Sequence, residues 1–178
     1  MRFNHIYTPI ISCILIVIAL VSPSAAHAHL MVAQHGTLNW VDNGVFMVLS
    51  LPISAFEGID DNHDGQVSMV EFNNHRSTFT TSVKQHVKLS DKQNDHPLEG
   101  ILLSPVIEHG VQEAALSQLI VMGRFALIEP CKPLYIHVGL YGKETSEQSF
   151  KITATRPSND QKHVFNVTPK NPTATLFP

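Results

Sequence analysis

Two apolar, β-branched runs, residues 30–41 and 45–51, flank Asp42-Asn43-Gly44. An Asn-Gly turn between such runs predicts a β-hairpin. Pro52 ends the second run, and a polar, acidic stretch follows it. Phe72, Phe79 and Val83, continued by Val87, then recur at helical spacing. That spacing predicts a helix with one buried face. Beyond it the pattern returns to short apolar runs, at 87–90, 98–103, 118–128, 134–141, 149–155 and 163–168, with a further strand at 174–177. Turn residues divide them: 92–95, Pro130 with Pro133, Gly142, Pro157-Ser158-Asn159-Asp160 and 169–172. Residues 105–115, which contain Glu108-His109-Gly110, read as a looser connection. Many short strands separated by turns predict an α+β, mainly β chain. The expected architecture is an antiparallel sandwich-like domain with one helical unit inserted after the first hairpin.

The polar stretch before the helix is Asp60-Asp61-Asn62-His63-Asp64-Gly65-Gln66-Val67-Ser68-Met69-Val70-Glu71. It meets every fixed position of the calcium loop D-x-[DN]-x-[DN]-G-x5-E. Average composition would produce such a match in about one window in several hundred thousand. Ca²⁺ is a hard cation that takes six to eight oxygens. Asp60, Asn62 and Asp64 offer side-chain oxygens, and Gln66 offers its backbone carbonyl. Ser68 is short enough to act through a water, and Glu71 can close the shell with both carboxylate oxygens. Gly65 permits the sharp turn because it has no Cβ to clash at positive φ. Ser68 and Glu71 also have the spacing of a capping box, which starts a helix at that point.

On these residues the segment resembles the EF-hand calcium-binding family. The resemblance implies apolar side chains four and one before the loop, at its eighth position and just after it. Phe56, Ile59, Val67 and Phe72 stand there. It also implies a helix-loop-helix unit at about 53–86 that binds Ca²⁺. The leading helix should be short, about two turns between Ile53 and Ile59, since Pro52 precedes it and Gly58 weakens its end. Asp91 and Asp95 have the first and fifth residues of a second loop, but His96 and Pro97 occupy its glycine and carbonyl positions. A lone loop beside a β-domain predicts an ion that rigidifies the fold and does not switch it.

Residues 1–28 read as a secretory signal peptide. Arg2 precedes an apolar run of 12 residues at 10–21, Ser22-Pro23-Ser24 breaks it, and Ala26-His27-Ala28 fits a small-x-small cleavage site. The run falls short of the roughly 20 apolar residues of a membrane span, and no later run reaches that length. The expectation is an exported, periplasmic or secreted chain with no membrane span after cleavage. Residues 29–178 would then form a single β-rich domain, 150 of the 178 residues. Loss of Arg2 with the leader takes the formal charge from −3 to −4. No basic run remains, so a nucleic acid is not an expected partner. Of the two cysteines only Cys131 follows the leader, so no internal disulfide is expected. A bound cation would be an alternative staple.

A different metal chemistry is suggested at the cleavage junction. A mature chain beginning His29-Leu30-Met31 presents an α-amine and an imidazole together, ligands that suit Cu(II), with His35 close by in sequence. Ala26-His27-Ala28-His29-Leu30 resembles the processed start of CopC-type periplasmic copper-binding β-sandwich proteins, and that resemblance implies His29 as a ligand. A third reading is a calcium-dependent accessory or interaction domain for a membrane partner. His63, His75, His86, His96, His109, His137 and His163 show no ligand spacing. The chain has no G-x-S-x-G, H-E-x-x-H, C-x-x-C or glycine-rich phosphate loop, so no catalytic residues are expected and the protein reads as a non-enzyme.

Overall fold

The computed structural model describes residues 33–107, 115–127 and 133–178. Strands β1 (His35–Val41) and β2 (Gly44–Pro52) make the expected hairpin, with Val41 opposite Gly44. Its central turn residues are Asp42 and Asn43, one position earlier than an Asn-Gly turn, and Asp42 takes a φ of 49°. The shift has a tertiary cause. Gly44 pairs on its other side with Ala126, and Arg124 donates to both the backbone and side-chain oxygens of Asn43 at 3.0 and 2.9 Å.

The remaining strands are β3 (Val87–Ser90), β4 (Asp95–His96), β5 (Leu98–Ile107), β6 (Leu116–Ala126), β7 (Tyr135–Val138), β8 (Phe150–Arg156), β9 (Gln161–Val167) and β10 (Thr173–Thr175). They form a six-stranded sheet in the order β5-β6-β2-β1-β8-β9 and a four-stranded sheet in the order β10-β7-β3-β4. The domain is therefore α+β and mainly β, with two sheets. Among the described residues every strand pair is antiparallel except β1–β8, which is parallel. Strand β5 runs past Pro105 to Ile107, further than its apolar run suggested. It lies at the sheet's edge, where a residue without an N–H leaves no ladder bond unmade.

Period-2 alternation places Leu38, Trp40, Met47, Leu49, Val121, Phe125 and Ile152 of the larger sheet in one hydrophobic core with Leu89, Ile136 and Val138 of the smaller. Helices α1 (Met69–Asn74) and α2 (Arg76–His86) add Phe72, Phe79 and Val83, the helical stripe expected from the sequence. The two helices are separated at His75, whose φ of −102° and ψ of 17° leave the helical region.

The leading segment differs from expectation. A three-residue 3-10 turn, Ile53–Ala55, stands where two turns of α-helix were expected, and Phe56 is already extended. Pro52 sits directly before the turn, and Gly58 has a φ of 68°, so no helix can run through to Ile59. Phe56 is anchored instead by an edge-on contact with Phe79, ring centroids 4.8 Å apart. Among the described residues no helix is long and apolar enough to cross a membrane.

Candidate metal centre

Ser68 is the N-cap of α1. Its Oγ accepts from the Glu71 backbone at 3.3 Å, and Glu71 Oε2 accepts from the Ser68 N–H and hydroxyl, each at 2.8 Å. The expected capping box is thus formed. Glu71 does more than cap. Its Oε1 accepts from the Asp61 backbone at 2.9 Å, which brings the twelfth loop position back to the second. The carboxylate is buried, and the backbone and side-chain hydrogen bonds from Ser68 hold its pKa down to about 2 against the opposing effect of burial.

The other loop oxygens point the same way along the turn. Asp60 Oδ2 accepts from the Gly65 backbone at 2.9 Å, Asn62 Oδ1 from Asp64 at 3.0 Å, and Asp64 Oδ1 from Gln66 at 2.8 Å. Side chains and backbone N–H groups five or two residues apart therefore wind the segment into one curl. His63 and Gly65 take φ values of 61° and 82° within it. A Cβ on Gly65 would meet no atom within 4 Å, so Gly65→Ala costs backbone conformation alone. Its expected destabilisation is about 1–2 kcal/mol, read from the midpoint of urea unfolding.

Asp61 makes its side-chain contact outside the loop. It pairs with His75 Nε2 at 2.7 Å and ties the loop to the break between α1 and α2. A cleft of about 650 Å³ opens beside the loop, bordered by Ile53, Phe56, Asp60, Gln66, Leu116 and Lys143.

Two observations bear on whether this donor set fits a hard cation. Asp60 Oδ1 is buried without a hydrogen-bond partner, an acceptor left open at the first loop position. An unsatisfied carboxylate oxygen of that kind is costly unless something positive meets it. Against this, the other side-chain oxygens of Asp60, Asn62, Asp64 and Glu71 already accept hydrogen bonds, from backbone N–H groups and the Ser68 hydroxyl and, at Asp64 Oδ2, from Asn62 Nδ2 at 2.9 Å. The Asn62–Asp64 bond is exposed, where water replaces a lost partner at little cost. Among the described residues no group of three or more His, Cys, Asp or Glu is gathered for a metal. The donor set here is mixed, drawing on the Asn62 amide, the Gln66 carbonyl and the Ser68 hydroxyl beside three carboxylates. Such an all-oxygen set suits Ca²⁺ and not a soft or imidazole-seeking ion.

No protein-family model matches the chain, and no curated protein matches it.

The fold also contributes residues that sequence spacing did not single out. The Leu116 N–H donates to the Val67 carbonyl at 2.9 Å, and Ser68 forms an antiparallel bridge with Ala115. Asp91 closes the turn between β3 and β4, accepting from Gln93 and Asn94 at 2.7 Å each, and its other oxygen lies 3.3 Å from Nε2 of the buried His96. This segment is a hairpin and not a second ion loop. His86, His137 and His163 bond to Ser82, Thr173 and Leu176, each at 2.9 or 3.0 Å, and serve structure. Residues 1–28, His29, His109 and Cys131 lie outside the described residues.

Proposed function

We propose that this protein binds one Ca²⁺ in the loop from Asp60 to Glu71, and that the ion stabilises an exported β-domain. Asp60, Asn62 and Asp64 would hold it through side-chain oxygens, Gln66 through its carbonyl, Ser68 through a water and Glu71 through its carboxylate. When bound, the ion supplies fixed positive charge that neutralises three carboxylates crowded into a twelve-residue turn. The observation that carries the reading is the buried, unpartnered Oδ1 of Asp60 inside a loop already curled by its own side chains. The capping box supports it too, because it delivers the Glu71 carboxylate to the loop's beginning.

A single loop without a second of its kind belongs on the weak side, with Kd roughly 10⁻⁵–10⁻³ M. That range suits a compartment open to external calcium. Isothermal calorimetry of the processed chain is expected to show one Ca²⁺ site in this range and weaker binding of Mg²⁺, whose octahedral preference the loop does not meet. Absence of calcium heat at millimolar ion would overturn the proposal. Cu²⁺ in the same series tests the copper reading: binding lost in His29→Ala would support it.

A further inference from the structure

We infer that the first residues of β6 are a positioning partner of the calcium loop, so that binding of the ion and docking of β6 are coupled. The inference rests on the calcium reading above and specifies what holds that site in shape.

Its core is a single peptide group. The carbonyl of Val67 accepts from the Leu116 N–H at 2.9 Å. The N–H at the other end of the same peptide unit belongs to Ser68, and it donates to Glu71 Oε2 at 2.8 Å. A peptide unit is planar and stiff, so fixing its carbonyl fixes the direction of its N–H. Hydrogen bonds arranged in series also polarise one another. The chain Leu116 N–H, Val67 C=O, Ser68 N–H, Glu71 carboxylate therefore sets where the bidentate ligand of the loop points. Leu116 touches no ion, and its backbone acts through Glu71.

The rest of the fold makes this brace stiff. Val67, Ala115 and Leu116 are all buried, although they also border the cleft beside the loop. Strand β6 continues from Leu116 into a nine-position ladder with β2, ending where Pro52 lies opposite Gln118. From Pro52 the chain runs through the 3-10 turn to Asp60. The loop is thus tied to one ladder at two places, by the covalent lead-in from β2 and by Val67 on β6. Among the described residues it is the backbone of β6 that meets the Val67 carbonyl.

Coupling is reciprocal: whatever factor the ion adds to the docking of β6, that docking adds to the affinity for the ion. Amide exchange of the full processed chain, followed by NMR with and without Ca²⁺, reads one side of this. Calcium is expected to slow exchange at Leu116 by about tenfold more than at Ile152 and Phe165 of the β8–β9 pair, within the usual 5–150-fold range of coupling. Glu71→Gln is expected to remove the difference. Calorimetry reads the other side. Leu116→Pro removes the N–H and should weaken calcium about tenfold relative to Leu116→Ala, which loses side chain but keeps the donor. Should the proline variant fail to fold, exchange in the wild-type chain still decides the matter. Equal protection of Leu116 and the β8–β9 amides, in a chain that calorimetry shows to bind calcium, overturns the coupling alone. No calcium binding in the wild-type chain overturns the calcium reading and this inference together.

Discussion

Calcium at one hundred times its Kd is expected to raise the unfolding free energy by about 2.7 kcal/mol, and Glu71→Gln is expected to abolish that rise. For a domain of this size the gain corresponds to about 5–10 °C in Tm, easily followed by circular dichroism with chelator as the reference. Glu71 is chosen because both its oxygens already face the loop, one toward Asp61 and one toward Ser68. A Gln keeps length and one acceptor while removing the charge and the second oxygen. If the variant gained as much from calcium as the wild type, the ion would be bound elsewhere.

The same side chain predicts an acid limb in the absence of calcium. Its folded pKa, about 2, lies below the ordinary value of 4.5 because Ser68 donates to it twice. A group whose pKa falls on folding binds fewer protons in the native state. Its stabilisation is therefore complete above pH 4.5 and is lost as pH drops toward 2. Urea midpoints between pH 5 and pH 2 should fall steeply in the wild type and more gently in Glu71→Gln. Parallel slopes would mean that the capping carboxylate is not held as described.

The largest single loss is expected from Phe79→Ala, about 3–5 kcal/mol by urea unfolding with an unchanged m-value. Phe79 is fully buried, and its ring packs between Phe56 at 4.8 Å and Phe72 at 5.2 Å. Phe56 leads into the loop at 60–71 and Phe72 follows it, so this one ring joins the two flanks of the candidate site. The cavity left by alanine would loosen both, and calcium affinity should fall with stability. Val70→Ala on the outer side of α1, where Val70 is 68% exposed, is the comparison and should stay within about 0.5 kcal/mol. Equal effects from the two would contradict this account of the packing.

Much of the candidate site could be read from spacing because its geometry is local. Side-chain-to-backbone bonds such as Asp60 to Gly65 and Asn62 to Asp64 span two to five residues, and the Ser68–Glu71 cap spans three. Residue identity at fixed offsets is then enough to shape the loop. The strands were legible for a similar reason, since alternation reports burial on one face and Gly or Pro marks where the chain turns. The leading segment departs from its local pattern. Propensity allowed two turns after Pro52, but burial of Phe56 on Phe79 and the positive φ of Gly58 left one 3-10 turn. Contacts outside the segment outweighed its own weak preference.

The sequence by itself determined a mainly β chain with a twelve-residue oxygen-rich turn, a capped helix behind it and a hairpin ahead. Those features depend on contacts a few residues long. Only the tertiary structure decided that β1 lies parallel to β8, that Asp91 meets His96 in a hairpin, and that the Leu116 amide meets the Val67 carbonyl. Leu116 is 49 residues from Val67 in the chain. A backbone N–H carries no residue signature, so which strand supplies it depends on how the two sheets close over their shared core.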